Sequence, residues 1–257
     1  MTTTAERVTF AADAGHPLVG RIHRPAGPPR AFALFAHCFT CGKDLAAAVR
    51  ICEALATRDI ATLRFDFTGL GESGGDTDEL ATFSANVGDL FAAARYLENR
   101  HRAPTILIGH SLGGAAVLAA AKGVDACRAV VTIGAPSDPA HVTHLFASSE
   151  AELATRGQAT VTIGGRSFRV SKAFLEDLAH ASAETRLRDL GRALLIMHAP
   201  GDTVVSIDHA AAIYRAAAHP KSFICLDGAD HLLRRAADAA YAADVLSAWV
   251  SRYFAAS

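Results

Sequence analysis

Six runs of this chain are apolar along nearly their whole length: AFALFAH (31–37), IATLRFDF (60–67), PTILIGH (104–110), ACRAVVTIGA (126–135), RALLIMHAP (192–200) and KSFICLDG (221–228). A strand with one wet face alternates polar and apolar residues. Strands without that alternation are buried on both faces, the mark of a mainly parallel sheet. Between the runs lie alanine-rich helical patterns at 44–58, 82–100, 114–123 and 207–218, and a further one closes the chain at 238–254. Strand and helix in turn predict an α/β fold with helices on both faces of the sheet. Near the N-terminus, ERVTF and HPLVGRIHRP do alternate, and they predict a half-exposed antiparallel hairpin.

One segment breaks the rhythm. Residues 137–190 contain QATVTI-GG-RSFRVS, read as a hairpin around Gly164-Gly165, with helical pieces on either side. This predicts an insertion between two sheet strands. Ligands in open α/β sheets bind beyond the carboxyl ends of the strands, so the insertion is expected to form a lid there.

The sharpest local motif is GHSLGG, Gly109 to Gly114, which follows the strand PTILI and opens the helix GAAVLAAAKG. Gly-x-Ser-x-Gly at a strand-to-helix turn is the nucleophile elbow. The turn is tight enough to force Ser111 into a strained backbone. Gly109 and Gly113 remove side chains that would collide. A serine hydroxyl needs a base to take its proton. Among the 12 histidines, His231 in LDGADHLLRR follows the last strand and returns to the sheet's carboxyl edge. The histidine needs an acid, and Asp202 in HAPGDTVVS follows the strand RALLIM; Asp227 is the alternative. The order Ser111, Asp202, His231 is the one used with this elbow. His110 is read as following the elbow's geometry, and His16, His23, His101 and His219 as turn or surface residues. His141, His144 and His180 lie in the insertion, but no carboxylate or cysteine spacing completes a metal site. One oxyanion donor is expected from the N–H of Leu112, and a second from the loop HCFTCGKD after the first buried strand.

Bulk properties exclude other classes. The chain has 257 residues, and a net charge of −1 argues against nucleic acid or an anionic membrane as the main partner. No signal peptide and no membrane span are read. Five cysteines, an odd number without a secretory leader, predict reduced thiols in a cytoplasmic protein. Cys127 and Cys225 are expected as small buried hydrophobes. The C-x-x-C of Cys38 and Cys41 keeps a thiol-redox function open as a competing class.

Together, the loop at His37, DFTGLGESGG (66–75), GHSLGG, GDTVV and GADH resemble the α/β-hydrolase family over nearly the whole chain. HCFTCGKD with RFDFTGLGESGG is similar to a bacterial subgroup of serine hydrolases often fused to an OsmC-like thiol peroxidase domain. The resemblance implies one α/β-hydrolase domain over 1–257 with a cap at 137–190, and a carboxylester hydrolase for short to medium acyl chains. It implies Ser111, Asp202 and His231 as the triad, and the N–H groups of Phe39 and Leu112 as the oxyanion hole. No cofactor and no metal are implied. The partners expected are a small-molecule ester, a functional link to an OsmC-like thiol peroxidase and, left open, a second copy in a homodimer. The same triad serves thioesterases, amidases and perhydrolases, and the fold does not choose among them. Phe39, Leu145, Phe146 and Phe174 are expected to line the acyl pocket, with lid packing the competing reading for the last three.

Overall fold

The structure, a computed structural model, describes residues 3–38, 41–76, 81–163, 166–181 and 187–254, with only the backbone for 144–148, 150, 163 and 166. The predicted N-terminal hairpin is β1 (Thr4–Ala11) and β2 (Pro17–Arg24), paired antiparallel from Thr4 opposite Arg24 to Ala11 opposite Pro17. The apolar runs form β3 (Ala31–Ala36), β4 (Ile60–Phe65), β5 (Ile106–His110), β6 (Ala129–Ile133), β9 (Ala193–His198) and β10 (Lys221–Cys225). They join β1 and β2 in one eight-stranded sheet of order β1-β2-β4-β3-β5-β6-β9-β10, parallel from β4 to β10.

The two-sided burial of these strands is visible in β3. Phe32, Leu34 and Ala36 pack into one apolar cluster, and Ala31, Ala33 and Phe35 into the other. The first cluster lies under α2 (Phe83–Arg100) and α3 (Leu112–Ala120); α6 (Ile207–Ala216) adds Ala210 and Ile213 to it. The second lies under α1 (Ala46–Ala56) and α7 (Ala236–Val250). Each buried Leu, Ile or Phe contributes about 1.5–3 kcal/mol of transfer free energy, so no position on either face tolerates a charge without a partner. Caps set two helix starts: the Thr82 hydroxyl accepts from Ala85 N–H, and the Ser206 hydroxyl from Asp208 N–H.

Three expectations are corrected. KSFICLDG is not buried on both faces: β10 is the sheet's edge, and Phe223 is 39% exposed there. Cys225, at its end, is exposed rather than buried. His23 is no surface residue. It sits 1% exposed on β2, where its Nε2 accepts from Arg64 Nε–H at 2.8 Å. An apolar sequence pattern reports what a strand contains, not whether a neighbour covers it.

The segment between β6 and β9 holds a 3-10 stretch (Pro139–Ser149), α4 (Glu150–Arg156), β7 (Gln158–Ile163), β8 (Arg166–Ser171) and α5 (Lys172–His180). β7 and β8 pair antiparallel in a small sheet of their own, as the sequence predicts. Their Gly164-Gly165 connection lies outside the described residues. The insertion is tied to the main body where Asp177 accepts from the Ser84 N–H at 2.8 Å and where Arg169 meets Asp76 at 2.8 Å. Among the described residues, no helix is long and apolar enough to cross a membrane.

Candidate active site

Ser111 sits between the end of β5 and the first turn of α3 with φ 55° and ψ −128°. A non-glycine residue there carries about 1–3 kcal/mol of strain, held in place by its surroundings. Its N–H donates to the Ile133 carbonyl at 2.8 Å. The flanking glycines are needed for space, as expected. A Cβ on Gly109 would lie 2.2 Å from the Gly113 carbonyl oxygen, and one on Gly113 would lie 2.4 Å from that of His37.

Asp202 follows β9, and its carboxylate is held from both sides. Oδ1 accepts from the N–H groups of Val204 (2.8 Å) and Val205 (2.9 Å), and Oδ2 accepts from His231 Nδ1 at 2.7 Å. Burial works against the charge, but the hydrogen bonds from His231, Val205 and Val204 outweigh it and hold this carboxyl below its ordinary pKa. With Nδ1 donating to Asp202, the opposite nitrogen carries a lone pair. That Nε2 lies 3.1 Å from Ser111 Oγ, placed to accept the hydroxyl proton. The alternative acid, Asp227, is exposed in the turn after β10.

Two histidines brace this arrangement: His110, read from the sequence only as following the elbow's geometry, and His198, which the sequence reading does not single out. His110, 3% exposed at the end of β5, donates Nε2–H to the main-chain carbonyl of His231 at 2.7 Å. Burial, with the nearby His231, pushes its pKa down to about 4, so the ring is neutral at ordinary pH. His198, wholly buried at the end of β9, donates Nε2–H to the Val205 carbonyl at 2.8 Å, in the turn that wraps Asp202. A histidine ending an otherwise apolar strand is the sequence signal that could have marked both.

The loop facing the elbow is clamped by charge. Lys43, its side chain 2% exposed, places Nζ 2.8 Å from Asp66 Oδ2 and 2.8 Å from a Glu72 oxygen. The Lys43 N–H donates to Asp66 Oδ1 at 2.6 Å, and the Glu72 N–H to Oδ2 at 3.0 Å. Asp66 thus joins two loops. His37 is buried, and burial lowers its pKa; its Nδ1–H donates to the Cys38 carbonyl at 2.8 Å. Cys38 and Cys41 are joined in a disulfide, which corrects the expectation of five reduced thiols. The reason is local: the Cys41 N–H bonds the Cys38 carbonyl at 3.1 Å, and this turn brings the two Cα atoms to 5.3 Å. Cys52, Cys127 and Cys225 are free.

Leu112, 3% exposed, is the first residue of α3, where a helix amide has no intrahelical acceptor. Phe39, the other expected oxyanion donor, lies outside the described residues. A narrow cleft lies beside Leu112, walled by Cys38, Phe67, Leu70 and Ala116. Phe174 is placed elsewhere, fully buried in the apolar cluster under α5. The side chains of Leu145 and Phe146 lie outside the described residues. Of the three insertion histidines, His141 packs on His209 with ring centres 4.3 Å apart, and His180 donates to the Glu176 carbonyl. Among the described residues, no group of three or more His, Cys, Asp or Glu is arranged to hold a metal ion.

Comparison with known proteins places this geometry in context. The family model described as serine aminopeptidase, S33, matches residues 27–163, just over half of the chain. The esterase domain of a Rhodothermus marinus protein is 47% identical, superposes with a TM-score of 0.80, and the match covers 97% of this chain and 98% of that one. Mouse α/β hydrolase domain-containing protein 10 is 20% identical with a TM-score of 0.79, over 96% of this chain and 99% of that one. Est1E from Butyrivibrio proteoclasticus, solved with ferulic acid bound, is 18% identical with a TM-score of 0.75, over 96% and 97%. At those two identities the likeness is one of fold. No curated protein matches the sequence.

Proposed function

The chain belongs to the serine aminopeptidase S33 family of α/β-hydrolases, and from that premise we propose that it is a serine esterase cleaving carboxylic esters of short to medium acyl chains. The observation that carries the reading is the continuous hydrogen-bonded line from Asp202 through His231 to Ser111, with links of 2.7 and 3.1 Å, set on a strained elbow.

In this reading Ser111 attacks the ester carbonyl while His231 Nε2 removes its proton. Asp202 holds the ring in the tautomer that leaves Nε2 bare and stabilises the imidazolium. The oxyanion rests on the Leu112 N–H and on the N–H of Phe39. Each such donor is worth about 3 kcal/mol in the transition state. His231 then protonates the leaving alcohol, and water releases the acyl group by the same route in reverse. The sequence of steps asks for no metal and no organic cofactor.

The acyl pocket in this reading is the apolar cleft beside Leu112. This assigns the wall to Phe67, Leu70 and Ala116; Phe39, Leu145 and Phe146 keep their proposed role in contacting the acyl group. Phe174 serves the packing of the insertion, which in this reading is the lid. The 47% identity to an esterase domain supports ester chemistry.

The description of the matching family favours amide hydrolysis as a second reading. Initial rates on p-nitrophenyl esters of increasing chain length, set against the corresponding p-nitroanilides, separate the two. Ser111→Ala should abolish ester turnover and labelling by a fluorophosphonate. Retention of most activity in that variant sinks the assignment.

A further inference from the structure

Ester hydrolysis uses neither sulfur of the HCFTC loop, yet the two are bonded to each other, and Cys38 lines the cleft beside Leu112. We propose that the Cys38–Cys41 disulfide is a thiol-exchange site, a latch that small dithiols open and whose state sets the rate of turnover at Ser111. The rate claim rests on the serine-hydrolase reading; the exchange itself does not.

The bond has little to do for the fold. Loop-closure entropy rises with loop length, and this ring encloses only two residues, so it constrains the unfolded chain little. The chain on either side is already held. β3 fixes it upstream through its ladders to β4 and β5. Downstream, the Lys43 N–H and Nζ are both bound to Asp66. What the disulfide adds is confined to the span between these anchors, which includes the Cys38 wall of the cleft beside Leu112. The Cys38 carbonyl accepts from both His37 Nδ1 and the Cys41 N–H, so the turn and the buried ring of His37 move with it.

The two sulfurs differ in access. Cys38 is 4% exposed, whereas Cys41 is half-buried. Exchange therefore begins at Cys41. A dithiol's thiolate attacks Cys41 Sγ, the Sγ–Sγ bond breaks, and Cys38 leaves as a thiolate that takes a proton from water. The second thiol, once deprotonated, attacks its own sulfur in the mixed disulfide and expels Cys41 as a thiolate, which is protonated in turn. The dithiol is oxidised to a cyclic disulfide and the protein pair gains the two electrons. The other thiols do not compete inside the fold: Cys52 and Cys127 are buried, with pKa values pushed up to about 12, and Cys225 is exposed at the far edge strand.

The test uses the whole chain, purified in air. Thiols are alkylated in denaturant and counted by mass before and after dithiothreitol, and p-nitrophenyl acetate turnover is measured in each state. Three thiols are expected before reduction and five after. Turnover should fall about tenfold or more on opening, as small displacements at a reacting centre do, and return on reoxidation. The double variant Cys38→Ser/Cys41→Ser should give a rate, whatever its level, that dithiothreitol does not change. Cys225→Ser should keep the full response. Five thiols before any reductant, equal turnover in the two states, or a thiol response that survives in the double variant each overturns the latch. Fluorophosphonate labelling of Ser111 in both states keeps the two claims apart. Labelling at equal rates rejects the latch alone. No labelling in either state rejects the hydrolase reading and the rate claim with it, while the thiol count still reports the exchange.

Discussion

His110 Nε2–H donates to the main-chain carbonyl of His231 across 2.7 Å, although 121 residues separate them. The residue before the proposed nucleophile thus holds the backbone of the proposed base. His110→Ala leaves that part-buried carbonyl without its partner, at a cost of about 1 kcal/mol or somewhat more. We expect kcat to fall about tenfold, on the scale of that lost hydrogen bond, with KM little changed. His110→Gln, which keeps a donor, should recover part of it. Steady-state kinetics on one ester, together with the rate of fluorophosphonate labelling, checks both. Wild-type kinetics in His110→Ala would show that the bond positions nothing.

Asp202→Asn isolates the role proposed for this carboxylate. The asparagine oxygen can still accept from Val204 and Val205, so the turn survives. Its amide, however, donates toward His231 Nδ1, which drives the ring proton to Nε2 and aims an N–H at Ser111 in place of a lone pair. A loss of about 10³–10⁴ in kcat is expected, as for a triad histidine held in the wrong tautomer, with an unfolding midpoint close to wild type. Calorimetry alongside kinetics distinguishes this from simple unfolding.

Stability should weaken as the solution is acidified below neutrality. His23 and His110 are buried, and their pKa values are lowered from 6.5 to about 4. Between those values the unfolded chain binds protons that the native state does not. The stability is therefore fully present above pH 6.5 and is lost progressively as pH falls toward 4. Each group contributes a slope of up to about 1.4 kcal/mol per pH unit in that window. His23→Gln, whose amide oxygen can still accept from Arg64, should flatten the slope by one such unit. Urea titrations at pH 7, 6 and 5 measure it, and an unchanged slope contradicts the assignment.

The Lys43–Asp66 pair predicts a non-additive double variant. Lys43→Met leaves the buried Asp66 without its cation and should cost about 3–5 kcal/mol, whereas Asp66→Asn leaves Lys43 paired with Glu72 and should cost less. The double variant leaves no uncompensated charge at the pair, so its loss should be smaller than the two single losses summed. Asp66→Asn should also slow ester turnover, because the same carboxylate holds the N–H of Lys43 in the loop opposite Ser111. A strictly additive cycle would show that the two charges do not depend on each other.

The sequence by itself determined what depends on neighbours in the chain. The apolar runs specify strands buried on two faces. Gly109 and Gly113 announce a turn whose steric limits follow from the backbone alone, and the collisions found at both positions bear this out. That Asp202 and His231 would lie together was legible, because both follow strands whose parallel order sends them to the same sheet edge. What the tertiary structure alone decided are pairings across long stretches of chain. Nothing near His110 says that its partner is the His231 carbonyl, nothing near His23 says that Arg64 will cover it, and nothing near Lys43 says that Asp66 and Glu72 will bury its charge. Nor does the run KSFICLDG reveal that β10 ends the sheet and leaves Phe223 and Cys225 open to solvent. Burial and hydrogen bonding belong to whichever group arrives opposite, and that is settled only when the sheet closes its order and the loops at its carboxyl edge meet.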